Sequence, residues 1–136
     1  MGLKVSHGAY EGPYSSFNRF RKFIIASIGG SYPPHEKENL DEDRWYWDTD
    51  RPFSSETHPG LKEFFCHSDC EGEIQPEMCK VVADELESIL PYIEAREAKD
   101  RSAGGLLMRG GYVQITKEFI EGCREAYKKN EPLEFM

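Results

Sequence analysis

Apolar positions repeat at two different periods along this chain, and the changes of period mark out its elements. Leu3 and Val5 alternate with Lys4 and Ser6, the spacing of a half-buried strand over Leu3–His7, after which Gly8, Gly12 and Pro13 turn the chain. Phe17, Phe20, Ile24, Ser27 and Ile28 then recur at helical spacing, which predicts a helix with Ser15 or Ser16 as its N-cap and Gly29 and Gly30 as its stop. A short helix is expected over Gly60–Cys66. A longer one runs from Pro76 to Leu90, with Met78, Cys79, Val82, Leu86, Ile89 and Leu90 on one stripe and Pro76 in the first turn, where a missing N–H is tolerated. Pro91 ends or kinks it and leaves Tyr92–Arg101 as a polar helical extension. Gly104–Met108 and Tyr112–Ile115 flank Arg109, Gly110 and Gly111 and read as a β-hairpin. The last helix spans Lys117–Lys129, capped by Thr116 and buried through Phe119, Ile120, Cys123, Ala126 and Tyr127. Pro132–Phe135 then forms an edge strand against the first strand or the hairpin. The expectation is a single compact α+β domain over 1–136, three to four helices packed on a small antiparallel sheet.

Composition adds constraints. The chain is 38% hydrophobic and 12% aromatic, enough for one core, while 31% charged residues and a mean hydropathy of -0.67 give a well-solvated surface. Its longest apolar run, Phe20–Ile28, is broken by Arg21 and Lys22 and falls far short of the roughly 20 residues of a membrane span, so no membrane partner is expected. Met1–His7 lacks the apolar region of a secretory signal, and a cytoplasmic location is expected, with the four cysteines as free thiols. A net charge of -8 argues against nucleic acid as a partner. The charge is uneven: Lys4, Arg19, Arg21 and Lys22 face Glu11 alone in the first quarter, so an anion would bind there. Between Ser31 and Gly60 lies a long connection with four prolines, an acidic run from Glu36 to Asp43, and Trp45, Tyr46 and Trp47. Those rings read as anchors for the segment or as walls of a binding pocket.

The densest chemistry lies between Cys66 and Cys79, where Cys66, His67, Asp69, Cys70, Glu71, Glu73 and Glu77 surround Gly72. A structural zinc site needs four ligands in close-spaced pairs, and Cys66 with Cys70 supplies one such pair. No second close pair exists, and Cys79 and Cys123 fall on apolar helical stripes, where cysteine packs as a small hydrophobe. Aligning Gly72 with the bend of a calcium-binding loop puts His67 at the first ligand position and Met78 at the twelfth, where carboxylates are required. No metal and no cofactor is therefore expected.

Another constellation runs from His7 to Arg21. Its loop leads into a helix start whose free N–H groups, with Arg19 and Arg21, suit a phosphate or carboxylate, while Tyr10 and Tyr14 offer faces for a base. The glycine spacing is neither that of a dinucleotide fold nor that of a P-loop. The candidate ligand-binding residues are His7, Tyr10, Tyr14, Ser15, Arg19 and Arg21, with Trp45 and Trp47 as stacking partners. His7, His35, His58 and His67 could each meet a serine or cysteine in space, but no recognised nucleophile motif surrounds any of them, so the chain is not assigned as an enzyme.

At Gly2–Tyr10, Tyr14–Arg21 and His67–Ile74 the chain resembles small proteins of bacteriophages and prophages. The resemblance covers about a third of the chain through short motifs and brings no activity with it. It implies action by binding. The leading expectation is a small protein that sequesters an anionic, nucleotide-like signalling ligand, assembled as a homo-oligomer. The alternatives are an inhibitor that captures a host protein through the acidic, aromatic 36–50 segment, and a metal- or cysteine-dependent hydrolase centred on Cys66–Glu77.

Overall fold

The computed structural model describes residues 2–30, 32, 35–36, 45–46, 53–54, 56–68, 70–102 and 111–136. In chain order the elements are β1 (Gly2–Val5), β2 (Tyr10–Pro13), α1 (Tyr14–Ser27), β3 (His35–Glu36), β4 (Trp45–Tyr46), α2 (Pro59–Cys66), β5 (Gly72–Ile74), α3 (Pro76–Ser88), α4 (Leu90–Ser102), α5 (Tyr112–Lys128) and β6 (Leu133–Phe135). The α+β expectation holds, with five helices among the described residues.

Strands β1 and β2 form an antiparallel hairpin in register from Gly2 opposite Pro13 to Val5 opposite Tyr10. His7 (φ 60°) and Gly8 (φ 70°) are its two central residues, and the Ala9 amide donates to the Ser6 carbonyl at 3.2 Å. Two successive positive φ values are what the tightest hairpin turns require to match strand twist. The sheet order is β2-β1-β6-β5, all antiparallel, so β6 pairs with the first strand as expected but lies inside the sheet rather than at its edge. The three-residue β5, hidden in sequence by its glycine and charges, supplies the other partner. Strand β2 was masked by Gly12 and Pro13, a pair suited to an edge that needs no ladder donor. Along these strands Leu3, Val5, Ile74, Leu133 and Phe135 are buried while Lys4, Glu73 and Glu134 face solvent, which gives the sheet one apolar face.

That face is covered by α1 and α5. Phe17 on α1 sits at the centre, with ring centroids 5.0 Å from Tyr10, 6.0 Å from Phe64, 6.2 Å from Phe119 and 5.9 Å from Phe135, and so joins two helices and two strands to its own helix. Helix α1 begins directly after Pro13 with no side-chain cap, so Ser15 and Ser16, the two residues expected as caps, both lie inside its first turn, Ser15 exposed and Ser16 half-buried. Gly29 (φ 87°) closes it: its amide donates to Ala26 O, and the Gly30 amide to Ile25 O. Helix α3 stops at Ser88, and α4 starts at Leu90 with Pro91 in its first turn.

The strand expected over Tyr112–Ile115, the second arm of the hairpin, is helical instead. Tyr112–Ile115 is the first turn of α5, and residues 103–110 lie outside the described set. Tyr112, Ile115, Thr116, Phe119, Ile120, Cys123 and Ala126 form one continuous buried stripe, and packing that stripe outweighs the local strand preference of Tyr and Val. Thr116, expected as the cap, is inside the helix and donates to Tyr112 O at 2.7 Å.

Gly122 is where α5 meets the hairpin turn most closely. A Cβ there would stand 2.4 Å from the Ala9 Cβ and 2.6 Å from its Cα. Gly122→Ala is expected to lower stability by about 2 kcal/mol through overpacking against backbone; a urea midpoint equal to that of the parent would show that the approach is looser.

Candidate ligand site

The residues singled out between His7 and Arg21 do not converge. Tyr10 is a core residue, 3% exposed, with its ring against Phe17 and Phe20. Tyr14 and Ser15 stand at the start of α1, half-buried and exposed. His7 sits at the hairpin tip, bonded to Ser6 and Glu131. Trp45 lies in β4, and Trp47 is outside the described residues.

The two arginines, two residues apart, part company because helical geometry turns their side chains about 200° from each other. Arg21 is 3% exposed and points inward. Its Nη1 donates to the carbonyls of Phe64, Phe65 and His67 at 3.1, 3.3 and 2.6 Å, and Nη2 donates to Asn18 Oδ1 at 2.6 Å. The guanidinium also lies 4.7 Å from the Phe17 ring centroid. Arg21 is thus engaged in closing the C-terminus of α2.

Arg19 points outward into a groove of about 260 Å³ between α1, α4 and α5, lined by Arg19, Lys22, Phe23, Ala26, Arg96 and Tyr112. Four of these belong to one face of α1 at spacings of three and four residues. Phe23 and Tyr112 stack with centroids 4.1 Å apart and planes 15° from parallel, which makes an aromatic floor. Among the described residues no carboxylate pairs with Arg19 or Lys22, and Arg96 has only Asp100, at 3.7 Å. Burial pushes the Tyr112 hydroxyl above its ordinary range, with Arg19 opposing and Asp100 reinforcing the shift, so at neutral pH Tyr112 is an uncharged phenol. The first turn of α5 starts at this same place after Gly111 (φ 124°), with no side chain capping it among the described residues. The arrangement is cations around an aromatic surface, chemistry for an anion carrying a flat ring. Lys22 was counted in the basic first quarter but not as a site residue, Phe23 was given no role, and Arg96 lies far along the chain on another helix; the i, i+3, i+4, i+7 spacing of Arg19, Lys22, Phe23 and Ala26 was the available signal.

The cysteine-rich turn is divided. Cys66 is half-buried at the end of α2 and Cys70 exposed, while Cys79 and Cys123 are buried together between α3 and α5; all four are free thiols. A hydrogen bond from Cys123 lowers the Cys79 thiol, and the same bond with burial pushes the Cys123 thiol up. No group of three or more His, Cys, Asp or Glu able to hold a metal occurs among the described residues. Gly72 (φ 98°) makes room for His67, whose Cε1 would stand 3.3 Å from a Cβ there and whose ring lies 4.0 Å from that of Phe135.

No protein-family model matches the chain, and neither a curated protein nor a solved structure matches it. Among the described residues no helix is long and apolar enough to cross a membrane.

The division between the arginines is open to measurement. Arg21→Met is expected to cost about 3 kcal/mol, because it leaves buried carbonyls unpaired, whereas Arg19→Met should change stability by no more than about 0.5 kcal/mol. Chemical denaturation of both variants checks this, and equal losses would contradict it.

Proposed function

We propose that the chain is a binding protein for a small anionic ligand with a planar ring, such as a nucleotide, held in the α1/α4/α5 groove. The observation that carries this reading is the meeting of Arg19, Lys22 and Arg96 around the Phe23 and Tyr112 rings in a chain whose net charge is -8. Cations gathered on a strongly acidic protein set up a local attraction that the rest of the surface opposes. The groove is open and slightly smaller than the roughly 300 Å³ at which drug-sized pockets begin, so it suits a single phosphorylated ring. The phosphate sits against the guanidinium and ammonium groups, with the ring over the aromatic floor and the neutral Tyr112 hydroxyl free to donate. Sequestration of such a ligand accords with the role implied by the resemblance to phage proteins.

Calorimetric titration with adenosine monophosphate and with adenosine separates the charge and ring contributions. The nucleotide should bind, more weakly as salt rises, and the nucleoside much less. Arg19→Ala and Lys22→Ala should each weaken binding about tenfold, a loss of about 1.4 kcal/mol. A folded double variant with the parent's affinity would rule out the groove.

A further inference from the structure

A second cavity of about 260 Å³, at the β1–β2 hairpin tip, is lined by Lys4, Ser6, His7, Glu11 and Glu118 among others. At its wall Ser6 Oγ lies 2.8 Å from His7 Nδ1, and on the far side of the ring, outside the cavity lining, His7 Nε2 lies 3.1 Å from Glu131 Oε1. From these contacts we propose that Ser6, His7 and Glu131 form a nucleophile relay that cleaves small acyl esters.

The backbone explains how neighbours in sequence can work together. In an extended strand Ser6 and His7 would point to opposite faces. The positive φ of His7 swings its ring back over Ser6. A side-chain-bearing residue is disfavoured in that conformation, and Asn or Gly would make the same turn more readily. Glu131 is brought in from the other end of the chain. Asn130 (φ 53°) ends α5, its amide donating to Tyr127 O and the Glu131 amide to Ala126 O, and that reversal sets the Glu131 carboxylate against the imidazole. A carboxylate on Nε2 selects the tautomer with its proton there, which leaves Nδ1 as the acceptor for the Ser6 hydroxyl proton. The Glu134 amide donates to Ser6 Oγ at 2.8 Å and holds the oxygen in place.

In the first step Ser6 Oγ attacks the ester carbonyl carbon while its proton moves to His7 Nδ1; the bond to the leaving alcohol breaks and that alcohol takes the proton. Water then attacks the acyl-serine, His7 accepting its proton and returning it to Ser6, and a carboxylic acid departs. Lys4 faces Glu11 and Glu118 in the cavity, a balance that favours neutral or cationic acyl groups over acidic ones. His7 is the catalytic base and Glu131 a positioning residue.

The test uses the intact protein with p-nitrophenyl acetate as probe. Peptide mapping by mass spectrometry is expected to place one acetyl group on Ser6, formed in a burst of nitrophenol; acetyl groups on lysines or on His7 with Ser6 unmodified would overturn the proposal without any variant. Ser6→Ala should abolish the burst. His7→Asn, a residue suited to the turn, should slow it about 100-fold. Glu131→Gln should leave the half-saturating probe concentration unchanged and lower the maximal burst rate about tenfold. A burst retained in folded Ser6→Ala, or an unchanged maximal rate in Glu131→Gln, overturns the relay. The groove of Arg19 is a separate cavity, so failure here leaves the ligand-binding reading intact.

Discussion

The structure depends on the closing of α2 at both ends by charges from its neighbours. An eight-residue helix is too short to persist by itself, and its end groups need partners wherever water is excluded. Arg21 of α1 donates to the carbonyls of Phe64, Phe65 and His67 at the C-terminal end, and Glu85 of α3 accepts from the Leu61 amide at 3.0 Å at the N-terminal end. Both charges have the sign that the helix dipole favours. Gly60 lets α2 lie directly on α3, since a Cβ there would stand 2.8 Å from the Val81 backbone. With α2 fixed in this way, Phe64 reaches Phe17, Phe20 and Phe119, and the aromatic core closes around one ring cluster.

The same helix that supplies Arg21 to the interior supplies Arg19 and Lys22 to the surface. One face of α1 is therefore structural and another is available for binding. The groove exists because α4 and α5 stand beside that second face, and Tyr112, the first residue of α5, completes the floor laid by Phe23. The hairpin tip is built on a different principle. Two left-handed residues there and one at the end of α5 bring Ser6, His7 and Glu131 together from opposite ends of the chain.

Much of the helical architecture was legible from periodicity. The stripes of α1 and α3, Pro76 in a first turn, the break at Pro91 and the Gly29–Gly30 stop all lie where spacing places them, because burial of one face selects the helical repeat. Short strands were harder. Gly72–Ile74 has a single buried apolar residue, and Tyr10–Pro13 ends in residues that ordinarily mark turns, so both are strands only because β6 and β1 offer them hydrogen bonds. Tyr112–Ile115 shows the reverse case, a stretch with local strand preference drawn into a helix by the buried face that continues from it.

The sequence by itself determined the α+β class, the acidic surface, the basic N-terminal quarter and most of the helix faces, since composition and local spacing are properties of the chain alone. It could not separate Arg19 from Arg21, which look equivalent until the helix is docked and one guanidinium meets carbonyls more than forty positions away. Nor could it join Arg19 to Arg96 and Tyr112, or His7 to Glu131, across the chain. Those pairings were decided by tertiary structure, because long-range contacts depend on how the helices seat on the sheet rather than on the spacing within any one of them.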